Sequence, residues 1–240
     1  MDYQDTFKRY EIKYLLSPRQ KKEFQKAMER YMVLDRYGRT TIQNIYYDTP
    51  NWQLIRTSLE KPVYKEKLRL RSYGVAKPDG TVFIEIKKKY AGVVYKRRTS
   101  AKEAEAMAYL NNGIKIAGHE DQILREIDYF KNFYEGLKPA MVISYEREAF
   151  YGKEDPNLRM TIDENILWRD EDLTLRKDAY GTAVLKPGES LLEIKIAASM
   201  PLWLSYELNR LEIRQTSFSK YGRAYEMKQN EEITPKERRA

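Results

Sequence analysis

The chain has 240 residues, a formal net charge of +8 at pH 7, no cysteine and one histidine. The absence of cysteine excludes disulfide frameworks, thiolate zinc sites and cysteine nucleophiles, and a single histidine excludes multi-histidine metal sites. With 42% hydrophobic and 33% charged residues, this is the composition of a highly charged globular protein that can bury a core.

The first third of the chain predicts strands separated by one helix. Residues 7–16 alternate charged and apolar side chains, as a half-buried strand does. A Ser-Pro pair at 17–18 provides an N-cap and a first-turn proline for a helix that runs to about Met32. Residues 40–48 and 65–73 are rich in strand-forming residues and predict two further strands.

Two tight turns predict antiparallel hairpins in the next segment. Pro-Asp-Gly at 78–80 joins the strand at 65–73 to a strand at 82–87. Ala-Gly at 91–92 then leads into a strand at 93–99. Because connections of this length join antiparallel neighbours, we expect these strands to form one meander.

Two helices are predicted in the middle of the chain. Ser100 and Glu103 fit a capping box for a helix that Gly113 ends, and residues 119–137 carry apolar side chains at helical spacing. The histidine, His119, lies in a polar stretch at the start of the second helix. A solvated helix-start position is favoured there over a place in a catalytic triad.

The last part of the chain is again mixed. Three more strands are predicted at 141–150, 157–164 and 190–197. Residues 166–178 have a weak pattern, typical of short strands or a loop. Pro201 opens a helix, residues 219–228 predict a short last helix, and residues 230–240 are expected to form a frayed tail.

These elements indicate an α+β fold in a single domain over residues 1–240. About eight strands are expected with four or five helices, and the helices are inserted between runs of strands rather than after each strand. The apolar runs are too short to span a bilayer, and the N-terminus has neither a basic nor an apolar signal region. A cytoplasmic protein is therefore expected.

The charge lies mainly on one face of the predicted strands. Because side chains alternate along a strand, the residues opposite the aliphatic positions share a face. Its cations are Arg9, Lys13, Lys67, Arg69, Arg71, Lys87, Lys96, Arg98, Arg147, Arg159 and Lys195. Its acids are Glu11, Glu85, Asp163 and Glu193, so the face carries 11 − 4 = +7, nearly the whole net charge.

Two interpretations of this face are open. It can be an ordinary solvated sheet face, although such faces usually mix serine, threonine and both signs of charge. Alternatively, the aliphatic face packs outward against helices and the charged face lines the interior of a barrel. Like charges facing inward require a compensating anion, and arginine forks suit several phosphate groups in a row.

The few acids on this face are candidate ligands for a divalent metal. Mg²⁺ and Mn²⁺ prefer oxygen ligands, and cysteine and clustered histidine are not available. Glu193, in the apolar frame Leu-Leu-Glu-Ile-Lys-Ile, is the first candidate, followed by Glu11 and Glu85. For each of them the alternative is an ion pair with a neighbouring arginine.

Eight short motifs resemble the VTC domain, the catalytic domain of the yeast vacuolar polyphosphate polymerase, which belongs to the CYTH-like triphosphate tunnel metalloenzyme superfamily. The motifs are Arg-Tyr-Glu-Ile-Lys at 9–13, Tyr-Tyr-Asp-Thr-Pro at 46–50, Lys-Leu-Arg-Leu-Arg-Ser-Tyr-Gly at 67–74, Phe-Ile-Glu-Ile-Lys at 83–87, Tyr-Glu-Arg at 145–147, Arg-Met-Thr-Ile-Asp at 159–163, Leu-Glu-Ile-Lys at 192–195 and Phe-Ser-Lys-Tyr at 218–221. Each motif is weak alone, but eight in the right order are specific.

This resemblance implies an eight-stranded antiparallel barrel with a charged tunnel and outer helices. It also implies manganese-dependent transfer of the ATP γ-phosphate onto polyphosphate, with release of ADP. The implied phosphate-binding residues of the tunnel are Arg69, Arg71, Lys87, Lys96, Arg147 and Arg159. The resemblance further makes Tyr145 the phosphate-contacting tyrosine, Glu193 the metal ligand, and Ser219 and Lys220 the pair near the tunnel's end. Arg9, Lys13, Lys67, Arg98 and Lys195 are expected to bind substrate beside them.

Two positions depart from the family pattern. The superfamily often begins with two glutamates and a lysine at alternate positions, but the first of these is Arg9, which is also common in polymerase-type members. The eukaryotic family has a lysine where this chain has Ser217. That change puts polymerase efficiency, or the acceptor end of the tunnel, in question.

Three functions therefore remain open from the sequence. The first is an ATP-dependent polyphosphate polymerase using Mn²⁺ or Mg²⁺. The second is a tunnel triphosphatase that hydrolyses tripolyphosphate or a nucleoside triphosphate. The third is a non-catalytic binder of polyphosphate or RNA; nucleic acid is disfavoured because most of the 20 tyrosines lie on the aliphatic parity or on helical stripes. Any coupling to a membrane is expected to need a separate partner.

Overall fold

The computed structural model describes residues 10–91, 93–116, 118, 122–197 and 199–237. Predictions that concern Arg9 and His119 lie outside the described residues. The helices are α1 (Pro18–Met28), α2 (Gln53–Leu59), α3 (Glu103–Asn112), α4 (Gln122–Phe133), α5 (Leu202–Arg210) and α6 (Lys220–Glu237). The strands are β1 (Tyr10–Leu16), β2 (Met32–Leu34), β3 (Thr40–Asp48), β4 (Tyr64–Tyr73), β5 (Thr81–Tyr90), β6 (Val93–Lys102), β7 (Lys138–Gly152), β8 (Arg159–Arg169), β9 (Thr182–Ala183), β10 (Ser190–Ile196) and β11 (Gln215–Thr216).

The α+β class is confirmed, with one antiparallel sheet. The strands pair in the order β11-β1-β10-β8-β7-β3-β4-β5-β6, with β2 on β7 and β9 on β8. Among the described residues the sheet has 11 strands, nine of them along one open path, and the eight-stranded barrel that was expected is not confirmed. The extra strands β2, β9 and β11 have only two or three residues, too few to produce a detectable alternation.

Local signals explain most of the boundaries, and two expectations were wrong. The N-cap of α1 is Ser17, whose side chain accepts from Gln20 in a capping box, and Gly113 ends α3 in the left-handed conformation. The expected capping box at Ser100 does not form, because β6 continues to pair with β5 as far as Lys102. The last helix also continues to Glu237, well past the point where a frayed tail was expected.

The sequence analysis missed α2 because its cap is remote in sequence. The residue before the helix, Trp52, has a positive φ of 60° and makes no side-chain cap. Instead, the Asp48 carboxylate accepts hydrogen bonds from the backbone N–H groups of Leu54 and Ile55 at 2.9 and 3.0 Å. A carboxylate at a helix N-terminus satisfies donors that the helix itself leaves unpaired.

The chain divides into two compact units. The first comprises Met1–Thr40, Tyr145–Ile166 and Leu185–Phe218. Its core joins the aliphatic side of β1, β8 and β10 to α1 and α5, through residues such as Tyr14, Ile162 and Leu192 on the strands and Phe24 and Leu204 on the helices. The alternation of the three strands therefore buries one side and leaves the charged side away from these helices.

The second unit comprises Thr41–Ser144, Leu167–Val184 and Ser219–Ala240. Leu68 and Leu70 of β4 and Ile84 and Ile86 of β5 are all at most 1% exposed. They pack in one core cluster with residues of α3 and α4 such as Ile127. As predicted, the aliphatic side of the β4–β5–β6 meander is covered by helices.

Substitutions at positions on opposite sides of β5 test which side of the strand faces the hydrophobic core. Ile84→Ala should lower the free energy of unfolding by about 2–5 kcal/mol, because it removes buried methyl groups and leaves a cavity. Lys89→Ala, on the opposite side of the same strand, should change it by less than about 0.5 kcal/mol. Urea unfolding of the two variants measures both values, and equal losses would contradict the assigned sides.

Candidate functional site

One side of the β4–β5–β6 meander is strongly cationic, and we refer to it as the β4–β6 face. Among its cations are Lys65, Lys67, Arg69, Arg71, Lys87, Lys89, Lys96 and Arg98, and the carboxylate next to them is Glu85. Lys65 and Lys89 had not been predicted as site residues, although they have the same parity as Lys67 and Lys87. The period-two pattern could have identified them.

A buried carboxylate organises the middle of this face. Glu85 is 1% exposed, and its Oε2 lies 2.8 Å from Arg69 Nε and 3.7 Å from Arg71 Nε. Its Oε1 lies 2.6 Å from Lys96 Nζ. Burial raises the pKa of Glu85, but the three surrounding cations outweigh burial and lower the pKa to about 2. The structure thus gives Glu85 the ion-pair partners of the alternative interpretation.

A row of three lysines crosses the same face next to this cluster. Lys67 is directly opposite Lys87, and Lys87 is directly opposite Lys96. Like charges in directly opposed positions destabilise a sheet. Such a row is compatible with a stable sheet when anionic groups lie against it, and phosphate oxygens have the required charge.

Within this row, the ammonium of Lys96 has a lowered pKa. Although 38% of its side chain is exposed, the ammonium lies against Glu85 and close to two arginines. Burial lowers the pKa of Lys96 to about 8, an effect that Glu85 opposes and Arg71 reinforces. Lys96 therefore loses its charge in a pH range where arginine does not.

Two side chains from β3 hold the arginines in place. Arg71 Nε donates to Asn44 Oδ1 at 2.9 Å, and the fully buried Asn44 donates from Nδ2 to the carbonyl of Ile143 at 3.0 Å. Arg69 donates to the hydroxyl of Tyr46 at 3.0 Å. The sequence analysis missed Asn44, because a single buried asparagine in a strand gives no periodic signal.

Two motifs that are far apart in the sequence come into contact next to Tyr46. Its ring stacks on Tyr221 with 4.5 Å between centroids, and the Tyr221 hydroxyl donates to Asp48 at 2.8 Å. Burial raises the pKa of the Tyr221 hydroxyl far above its usual value, so it stays a donor. The Tyr-Tyr-Asp motif at 46–48 and the Ser-Lys-Tyr motif at 219–221 thus form one support for Arg69.

The predicted pair Ser219 and Lys220 lies at the start of α6. Ser219 Oγ accepts from the backbone N–H of Gly222 at 3.1 Å, which caps the helix. The same oxygen accepts from Lys67 Nζ at 3.2 Å. Ser219 therefore touches the lysine row, and Lys220 is the first residue of the helix.

The first unit has its own charged cluster around Arg147. Arg147 forms a bidentate pair with the fully buried Asp163, with distances of 2.6 and 2.7 Å. Its second contact is Glu193, at 3.6 Å. Burial lowers the pKa of Arg147, but the nearby acids more than offset this, so the net shift is well upward and the guanidinium stays charged.

Lys13 links the two glutamates of this cluster. Its Nζ lies 3.1 Å from Glu11 and 3.5 Å from Glu193, and it donates to the carbonyl of Phe218 at 3.0 Å. Glu193 is thus held between Lys13 and Arg147, at distances longer than those of a direct hydrogen bond.

The other predicted cations of this unit lie in the next rows of the sheet. Lys195 is opposite Glu11 on one side and Arg159 on the other. Arg159 is exposed and lies over the ring of Tyr151, and the buried Tyr145 lies under Arg147 at 5.1 Å. Removal of Arg147 would leave Asp163 buried without its cation, which typically costs about 3–5 kcal/mol. Arg159 is therefore the better cation to substitute in a functional test.

The acids do not form a preassembled metal cage. In the part of the chain that the structure describes, no group of three or more His, Asp or Glu side chains is arranged to hold a metal ion. Mg²⁺ does not need such a cage, because it is commonly bound by one or two carboxylates and keeps water and phosphate oxygens as its other ligands. The assignment of Glu193, Glu11 and Glu85 as metal ligands stays a prediction.

Comparison with known proteins identifies the family. The model of the VTC domain matches residues 8–228. The chain belongs to the VTC domain family. Among the described residues, no helix is both long and apolar enough to cross a bilayer.

Two solved structures have a similar fold. A candidate adenylate cyclase from Bacillus halodurans is 14% identical, with a TM-score of 0.54 over 88% of this chain and 95% of that chain. HpAC1, a candidate adenylyl cyclase from Hippeastrum with a reported dominant triphosphatase activity, is 17% identical, with a TM-score of 0.55 over 88% of this chain and 92% of that chain. At these identities the likeness concerns the fold alone.

The Glu85 cluster predicts a characteristic dependence of stability on pH. Because the folded-state pKa of about 2 is below the usual 4.5, ionised Glu85 stabilises the fold above about pH 5. This contribution is lost as the pH falls towards 2. Glu85→Gln should therefore lower the free energy of unfolding by about 3 kcal/mol at pH 6 and by progressively less towards pH 3, as measured by urea unfolding.

Glu126→Gln is the matched control for this measurement. Glu126 pairs with Lys88 and Arg97 at 3.9 and 3.4 Å on a more exposed surface. Glu126→Gln should lower the free energy of unfolding by less than about 1 kcal/mol at every pH. A loss for Glu85→Gln that does not change between pH 6 and pH 3 would contradict the assigned role of Glu85.

Proposed function

We propose that this protein is a metal-dependent phosphotransferase that extends polyphosphate with the γ-phosphate of ATP and releases ADP. The observation that supports it best is the opposed row of Lys67, Lys87 and Lys96 beside the arginines around Glu85. The row and these arginines together have the positive charge to hold consecutive phosphate groups. The tunnel barrel that the VTC family implies is part of this proposal.

In the proposed reaction the protein positions the reactants and neutralises their charge, and it forms no covalent bond with them. A terminal phosphate oxygen of the acceptor chain attacks the γ-phosphorus, the bond from that phosphorus to the β,γ-bridging oxygen breaks, and ADP leaves. Lysine and arginine side chains neutralise the three oxygens of the moving group while it is transferred. Arg69 and Arg71 are well placed for this because Tyr46 and Asn44 fix their guanidinium groups.

Glu193 would hold the divalent metal, with phosphate oxygens and water as its other ligands. When bound, Mn²⁺ or Mg²⁺ supplies Lewis-acid polarisation of the phosphoryl oxygens. Lys13 and Arg147 keep the Glu193 carboxylate between them. They thereby orient its oxygens before the metal arrives.

The protonation state of Glu85 favours a phosphate acceptor over water. A hydrolase needs a base that can take a proton from water, and an effective base has a pKa near the working pH. With a pKa of about 2, Glu85 is a poor proton acceptor. Glu11 contacts Lys13, and Asp163 is occupied by Arg147. A phosphate oxygen, already ionised, needs no such base.

Product analysis distinguishes the possible activities. We expect the protein with ATP and Mn²⁺ to form ADP and polyphosphate, resolved by nucleotide chromatography and gel electrophoresis.

Arg159→Ala should weaken turnover at low ATP by about tenfold, as the loss of one charge-assisted contact implies. Glu193→Gln should abolish turnover while polyphosphate binding persists. Lys88→Ala, on the helix-covered side of β5, is the control and should behave as wild type.

Two outcomes would contradict the polymerase. Free phosphate as the main product, without polyphosphate, would identify a tunnel triphosphatase instead. Salt-sensitive polyphosphate binding without any turnover would identify a non-catalytic binder.

The lowered pKa of Lys96 predicts how anion binding depends on pH. As the pH rises through about 8, unliganded Lys96 loses its proton, so tripolyphosphate affinity should fall by several-fold between pH 7 and pH 9.5. Lys96→Arg keeps its charge in this range and should show a smaller fall. Calorimetric titration of both proteins with the same ligand cancels the ligand's own ionisation.

Lys88→Arg is the control for the chemical change itself, because Lys88 lies on the other side of β5 and pairs with Glu126. It should retain the wild-type pH profile. If Lys96→Arg retains that profile as well, Lys96 is not the group that titrates.

A further inference from the structure

One end of the β4–β6 face is aromatic rather than cationic. Tyr73 and Phe83 make an edge-to-face pair with 5.7 Å between ring centroids, and the guanidinium of Arg98 lies over Phe83 at 4.9 Å. Tyr73 is 49% exposed. Both rings have the parity of the cations and lie outside the aliphatic core, so Tyr73 is an exception to the expectation that most tyrosines lie on the aliphatic parity or on helical stripes.

The strand register places this aromatic end in line with the phosphate-binding rows. Going along the face, the Lys67–Lys87–Lys96 row is followed by Arg69–Glu85–Arg98 and then by Arg71–Phe83–Ser100. Tyr73 comes one step later on β4. Each step covers two residues, about 6.6 Å along a strand. A ligand that lies along the strands would therefore contact cations at one end and aromatic rings at the other.

A nucleoside triphosphate has this same order of groups. Its terminal phosphates are anionic, its sugar carries hydroxyl groups and its base is flat and aromatic. Bases stack on aromatic rings and on guanidinium planes. The exposed Ser100, directly opposite Phe83, adds a hydroxyl between the phosphate rows and the rings.

We propose that Tyr73, Phe83 and Arg98 form a subsite for the base of the nucleoside triphosphate. This inference rests on the proposed function and deepens it, because it fixes the direction in which the donor lies: base at the Tyr73 end, terminal phosphate at the lysine row. Stacking does not discriminate by hydrogen bonding, so the subsite favours bases by ring size, and purines bind more tightly than pyrimidines. Inorganic polyphosphate, which has no base, does not use it.

Comparison of ATP with tripolyphosphate tests this subsite directly. Tyr73→Ala should weaken ATP binding by about tenfold, measured by calorimetric titration, and leave tripolyphosphate binding unchanged. Phe83→Leu should do the same with less disturbance of packing. Tyr90→Ala is the control: Tyr90 is 57% exposed at the far end of β5, and its loss should affect neither ligand.

Each result decides between the two proposals. Unchanged ATP affinity in both variants would overturn the base subsite while leaving the phosphate site intact. Equal losses for ATP and tripolyphosphate would show that the rings act only on the shape of the phosphate site, which also overturns it. If the wild-type protein binds neither ligand, the proposed function fails and the subsite with it.

Discussion

The organisation of the second unit depends on one buried charge. Glu85 is almost completely enclosed and attracts Arg69, Arg71 and Lys96 to a single point on the sheet. Without a carboxylate there, these cations would repel one another across neighbouring strands. One carboxylate among three cations leaves this cluster with a net positive charge, which attracts an anion from outside.

The first unit uses the same arrangement with different residues. Asp163 holds Arg147 in a bidentate pair, and Glu193 is held between Arg147 and Lys13. In both units the strands place aliphatic side chains against helices and charged side chains on the opposite side. The charged sides thus contain cations that contact a buried acid, such as Arg69 and Arg147, as well as exposed cations, such as Arg159.

Much of the secondary structure could be predicted because its signals are local. The alternation in β4 and β5, the turn at 78–80 and the capping box at Ser17 each act within a few residues. The helix α2 could not be predicted in this way, since its cap is Asp48, several residues earlier and beyond a left-handed Trp52. The prediction of a capping box at Ser100 was wrong, because β6 continues past Ser100 in its pairing with β5. In both cases a contact outside the local window outweighed the local preference.

The sequence by itself determined the cationic face, its parity and the family, because these depend on the order and spacing of side chains along the chain. Only the tertiary structure decided which acids are matched by which cations, that Asn44 and Tyr46 fix the arginines, and that the rings of Tyr73 and Phe83 pack edge to face. Such pairings depend on strand register and burial, and a shift of one residue in register would exchange the two faces of a strand. Electrostatic energy in a buried site changes steeply with distances of a few ångströms, which spacing along a chain does not specify.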